Sequence, residues 1–395
     1  MAQDQAQHAD VEEPDLFEWG PPRGLPLLFR LPAPIFPHVA PRALVALAIG
    51  WLPLLLLVIV APSHDLASDL RSFLRDVGVH ARFAFGVPIL LVAHIETARR
   101  LGTLVRHFAT SGLVPPEHVA RLEAEVVRAR QLVRSPWAEA IVLLLSYSVI
   151  FALWATGLSD HGLAPWLTSD VHQPSAAGWW HLLISVPLLL TLLMGWLWRI
   201  LIWTRLLHRI AGMQLRLVVA HPDNAGGLGF LAQAVRAFAF FGAGIGCITA
   251  GRFANVHLEG ANTQLTDGFL IGGTAVLVLV LGVAPLFVFA PTMARAWRRN
   301  AMYYGALAVA LGRSFESRWF DGPAEDQPDL LSAPDFSAAA DLYGVVSNVY
   351  SMRFLPVDLR SLLILGLATL SPFVPAMFLS MPTMVVLQEL KGLLV

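Results

Sequence analysis

The residues best suited to chemistry gather in one string, His221-Pro222-Asp223-Asn224-Ala225-Gly226-Gly227-Leu228-Gly229-Phe230. An imidazole and a carboxylate two residues apart could share a cation, and the amides around successive glycines could cradle an anion. The same residue types also build a tight turn. Pro fixes φ, Asp and Asn bond back to the backbone, and Gly tolerates positive φ. Asp223 is then placed to cap the helix that follows. The string lacks the Gly-Lys-Ser/Thr ending of a phosphate loop. No second His, Asp or Glu cluster at fixed spacing lies nearby, so no metal centre is expected. His221, Asp223, Asn224, Gly226, Gly227 and Gly229 stand as ligand-binding candidates, with a structural turn as the plainer reading.

Two further places carry ionisable groups inside apolar sequence, where charge is costly and functional roles are common. One is His94-Ile95-Glu96, just before Arg99 and Arg100. Glu96 is spaced to pair with either arginine along a helix. The other is Arg252, close to Asn255 near the end of an apolar run. If buried it would need a partner or a wet cavity and would attract anions. If it snorkels, its stem lies along apolar surface and its head reaches the interface.

No catalytic motif is legible. There is no nucleophile elbow, no triad-like grouping and no His-Glu-x-x-His helix. Cys247 is the single cysteine, which excludes an intrachain disulfide and a zinc site built from several cysteines. No cofactor is implied.

The elements that must position these residues are set by composition. Of 395 residues, 56% are hydrophobic and 14% charged, against about 25% charged in soluble domains. Mean hydropathy is +0.62. Such a chain has too little polar surface to cover itself in water, and a lipid bilayer is its natural partner. Net charge is −1 and the arginines flank apolar runs, so no nucleic-acid surface is indicated. The leader 1–40 is polar, acidic and Pro-rich; it reads as a flexible tail, not a signal peptide.

A spanning helix needs about 20 mostly apolar residues. Segments 44–61, 137–158, 179–203, 237–256, 268–290 and 359–379 qualify. Segment 83–95 is weak: it contains Pro88 and ends at Glu96 after about 13 residues, short of the usual span. Two-residue alternation is lacking, which argues against a β-barrel. The expected fold is therefore an all-α integral membrane protein, a bundle of about seven transmembrane helices with short cytoplasmic helical segments. It divides into the tail, a membrane bundle 41–300, a cytoplasmic helical segment 301–356, and a last span with a short terminal helix, 357–395. The stretch 115–134 reads as an amphipathic helix with Val119, Leu122, Val126 and Val127 on its apolar face. Tryptophans 179, 180, 196, 198 and 203 read as an interfacial belt.

Loop charge alternates. Arginines follow segments two, four and six, while Asp160, Asp170, Glu259 and Asp267 mark the loops between. Since cytoplasmic loops hold the basic excess, the N-terminus is expected inside and the C-terminus outside, in a bacterial inner membrane. Small residues recur along segment five, with Gly242, Gly246 and Ala250 on one face. Such a stripe admits a close helix neighbour, within the chain or in a second copy.

The string 221–230, the stretch Ala333-Pro334-Asp335 through Ala340-Asp341-Leu342, and Met352-Arg353 with Pro356 resemble a group of uncharacterised proteobacterial multi-pass inner-membrane proteins. The resemblance would cover most of the membrane region. It implies localisation but no activity, and it marks Asp335 and Asp341 as positions of interest; helix capping near the membrane surface is their plainer role. Three function classes stay open. The leading expectation is a channel or transporter for ions or small solutes, with Arg252 near the pathway. The others are a membrane-embedded enzyme using the His221/Asp223 turn, and a sensor or scaffold.

Overall fold

The computed structural model describes residues 39–156, 164–169, 173–260, 264–320 and 334–380. All but the end of the 1–40 tail, the acidic loop 321–329 and the terminal helix 384–394 lie outside the described residues. Those described form an all-α membrane bundle without a β-strand. Six helices are long and apolar enough to cross a bilayer, or seven if one bent pair counts as a span.

Helix α1 (Ala43–Val60) breaks at Trp51, where Pro53 opens its second half. A short amphipathic helix follows, α2 (Leu66–Arg75), capped by Asp65, which accepts from the Ser68 amide. Then comes α3 (Val77–Thr110), 34 residues long. It contains the weak segment 83–95 and resolves the doubt about it. The helix does not stop at Glu96, because Arg100 Nε donates to Glu96 Oε1 at 2.6 Å and neutralises the charge within the helix. Pro88 sits just past a π-helical stretch, His80–Gly86, in the opening turn of regular α-helix. A proline there removes an amide that such a turn does not need.

Helix α4 (Pro116–Val133) lies across the arginine-rich end and meets α5 (Pro136–Ala155) at a bend of 44°. The apolar face of α4 buries Leu122, Ala129 and Val133, with Val119 and Val126 packed against the same core. Val127 is exposed: five residues past Leu122 is about 140° around the helix, so it belongs to the opposite face.

Helix α6 (Ala176–Ala211) is a further long span. Its packing corrects the tryptophan belt. Trp179 is exposed, but Trp196 and Trp203 are 1% accessible. The indole of Trp196 donates to Leu90 O at 3.3 Å, and that of Trp180 to Ile49 O at 3.1 Å. Trp196 and Trp203 are core, because they lie on the face of α6 that packs on other helices, while Leu183 and Leu201 mark its exposed face.

Helix α7 (Gly229–Leu258) carries the small-residue stripe. A Cβ on Gly242 or Gly246 would run into Thr369, so helix α10 (below) covers this face within the chain. The sixth apolar run and the more polar helical piece that follows it are one element, α8 (Leu265–Trp319), 55 residues long. Its course is interrupted only by a 3₁₀ stretch at Ala284–Phe289, where Pro285 cannot donate. At about 1.5 Å per residue it far exceeds a bilayer, and its last turns project from the arginine-rich end. There α9 (Pro334–Tyr350) folds back along it. Trp297 Nε1 donates to Val349 O at 2.9 Å, and Phe336 packs on Phe315 and Trp319. Finally α10 (Leu359–Leu379) is capped by Asp358, which accepts from the Ser361 amide.

Candidate functional site

Three polar regions lie along the seam between α3 and α7. The first is at the acid-rich end of the bundle. Asp76 Oδ1 accepts from the Val79 amide at 2.9 Å and from Asn255 Nδ2 at 2.7 Å, while Oδ2 accepts from Trp166 Nε1 at 3.2 Å. Asn255 Oδ1 in turn accepts from the Gly78 amide at 3.1 Å. This network ties the start of α3 to the end of α7 and to the segment before α6. It floors a cavity of about 630 Å³ with charged walls: Asp65, Arg71 and Arg75 from the α2 region and Glu259 after α7.

Beneath this floor, two π-helical stretches are neighbours. His80–Gly86 in α3 carries His80 and Arg82, and His181–Ser185 in α6 opens with His181. π-helical turns frequently mark functional sites. Trp51 Nε1 donates to His80 Nδ1 at 2.9 Å, and Arg82 Nε donates to Gly78 O at 2.9 Å. The His181 ring meets Phe83 edge-on at 5.5 Å and Trp166 at 5.9 Å. Tight helix contact closes the seam here: a Cβ on Gly86 would clash with Ile248, one on Gly244 with Leu90, and one on Gly251 with Ala81.

The second region is deeper. His94, Thr97, Trp196, Arg199 and Phe238 surround a void of about 10 Å³. Arg199 is only 4% accessible, and its guanidinium lies 5.9 Å from the Trp196 ring centre. Thr97 Oγ1 donates to Ala237 O at 2.7 Å. Arg82 and His94 are twelve residues apart on α3, about 18 Å, and the side chains between them include the buried Phe83, Val87 and Leu90. Apolar side chains thus separate Arg82 from the region of His94 and Arg199.

The third region is at the arginine-rich end, where Glu96, Arg99, Arg100 and Thr103 of α3 face Gln233 and Arg236 of α7 across a cavity of about 370 Å³. Arg236 is held by Ser361 Oγ at 2.8 Å and Asp358 Oδ2 at 3.3 Å. Burial would raise the Asp358 carboxyl, but donation from Ser361 and the charge of Arg236 hold it below the usual range.

The 221–230 string forms a separate turn at the same end. Asp223 Oδ1 accepts from the amides of Ala225 at 2.8 Å and Gly227 at 3.2 Å, and Oδ2 from Gly229 at 2.8 Å. The amides that could cradle an anion are therefore used by the turn's own carboxylate. Asn224, Gly226 and Gly227 take positive φ of 50°, 67° and 91°. His221 Nδ1 lies 2.9 Å from Asp223 Oδ1. Burial alone would raise the Asp223 carboxyl, but the three amides and His221 outweigh it and hold it below the usual range. Arg353 clamps the turn: its amide donates to Asn224 O at 2.7 Å and its guanidinium to Asp223 O at 3.1 Å. The 221–230 turn and the Arg353 stretch thus meet in space.

Of the other predicted residues, His94 and Asn255 line the seam and Glu96 pairs with Arg100. Arg252 is exposed one turn from Asn255, which is the snorkelling geometry. Asp335 lies in the first turn of α9, and Asp341 is exposed on the same helix, remote from the seam. Sequence reading missed Asp76, His80, Arg82, His181 and Arg199. Their signal was available, since Arg199 and His181 interrupt an apolar run just as Arg252 does. Among the described residues, no three His, Cys, Asp or Glu side chains converge as a metal-ligand set.

The fold and its polar seam define a class, the polytopic α-helical membrane proteins. Within that class, comparison with protein-family models, curated proteins and solved structures finds no match for the chain.

Proposed function

We propose that the chain is a carrier for ions or small charged solutes, with the α3/α7 seam as its path. One observation carries this reading: a 630 Å³ cavity with charged walls and the buried Arg199 guanidinium lie along the same seam, separated by apolar side chains. A purely structural bundle gains nothing from charge within its membrane section, where each such group is costly. Packed glycines close the seam between the two sites, which suits an occluded carrier better than an open pore. The Asp, Glu and Arg walls suit a zwitterionic or anionic solute.

The arginine-rich end is cytoplasmic in this proposal, by the basic excess in its loops. The large cavity then faces the far side, the N-terminus is inside, the C-terminus is outside, and the membrane is a bacterial inner membrane. Membership of the uncharacterised proteobacterial group belongs to the same proposal and rests on the resemblance of the 221–230, 333–342 and 352–356 stretches.

The test is flux in proteoliposomes holding the full chain, assayed for potassium, chloride and zwitterionic amino acids against protein-free vesicles. Protein-dependent flux that is lost in Arg82→Gln is the expected result. Flux at the protein-free level for every solute, with the protein monodisperse and folded, overturns the proposal.

A further inference from the structure

The cavity at the arginine-rich end has a composition of its own. Three arginines, Arg99, Arg100 and Arg236, face it against one carboxylate, Glu96. Glu96 is already paired with Arg100, and Arg236 is braced by Asp358 and Ser361. Arg99 is exposed and has no ion pair among the described residues, and across the gap the Gln233 amide is exposed as well. The basic and amide side chains therefore converge from two helices on about 370 Å³ of open space, with Arg236 already braced. Guanidinium forks match the oxygens of a phosphate, and such charge-assisted bonds are the strong ones. Basic pockets between transmembrane helices at the cytoplasmic face are suited to anionic headgroups.

We infer that this cavity binds a phosphate group, through Arg99, Arg100, Arg236 and Gln233. The phosphate belongs either to an anionic phospholipid headgroup or to a free phosphate. The inference takes the cytoplasmic orientation of this end from the transport proposal, but its test reads binding and not flux, so the two fail separately.

Binding to the purified full-length protein in neutral detergent tests it, with phosphatidylglycerol, phosphatidylcholine and inorganic phosphate as separate probes. Native mass spectrometry reads bound lipid, and thermal shift reads inorganic phosphate. Phosphatidylglycerol bound in preference to phosphatidylcholine identifies a lipid site; stabilisation by inorganic phosphate alone identifies a soluble one. In either case Arg99→Gln weakens binding roughly ten-fold, the size of one lost charge-assisted pair, and Gln233→Ala weakens it less. Arg298→Gln, an exposed arginine on α8 at the same end, leaves binding unchanged. Wild-type affinity in Arg99→Gln, or an equal loss in Arg298→Gln, shows diffuse charge instead of a site and overturns the inference. So does the absence of binding by both phosphate probes.

Discussion

Asn255 and Asp76 stand 179 residues apart in sequence, yet the Asn255 side-chain amide donates to the Asp76 carboxylate at 2.7 Å. The bond locks the end of α7 to the start of α3, and Trp166 and the Val79 amide complete the carboxylate's shell. Removing the carboxylate leaves these buried donors without an acceptor. Asp76→Ala is expected to lower stability by about 2–4 kcal/mol, the penalty of several orphaned donors. Thermal unfolding in detergent checks this; a melting temperature equal to wild type would show that the network is incidental.

The α7 stripe supports a contrast between two glycines. Gly246 faces the Thr369 backbone, while Gly272 on α8 faces open space. Gly246→Ala should cost about 1–3 kcal/mol through overpacking against a backbone that cannot retreat. Gly272→Ala should be neutral. Equal melting temperatures for the two variants would mean that α10 does not press on α7 as described.

Arg199 separates a structural role from a functional one. An ionisable group inside the membrane section is costly and marks a solute path by default, and Arg199 is buried there. Arg199→Met should therefore abolish solute flux, while Arg199→Lys, which keeps the charge, retains part of it. Arg252 is the counterpart: exposed, it should tolerate Arg252→Ala within about 0.5 kcal/mol and leave selectivity unchanged. Altered ion selectivity in Arg252→Ala would return that residue to the pathway.

The turn at Asp223 carries a pH signature. Its folded carboxyl is held below the usual range, so the unfolded chain binds the proton more readily. The stabilisation is fully present above the unfolded value of about 4 and is lost as pH falls through the folded value. Asp223→Asn should remove this acid-side loss while lowering stability at neutral pH. Parallel stability-versus-pH curves for wild type and variant below pH 5 would contradict the assignment.

The membrane class, the all-α fold and nearly all the spans were legible in sequence, because burial in lipid demands long apolar runs and these are local. The amphipathic α4 was legible for the same reason, with Val127 misplaced only by its angle around the helix. The 83–95 segment looked too short because Glu96 ends its apolar run, although spacing already paired Glu96 with Arg99 or Arg100; the structure selects Arg100 and carries the helix on to Thr110. Asp223 was recognisable as a turn residue from its neighbours alone. What chain order alone did not disclose was partnership: Asn255 with Asp76, His94 with Trp196, Arg353 with the 221–230 turn, and the α7 stripe with Thr369. The tryptophans of α6 make the same point, since an indole at the end of an apolar run can sit in lipid interface or core. Only the packing of neighbouring helices decides which, because burial is a property of what lies beside a residue in space.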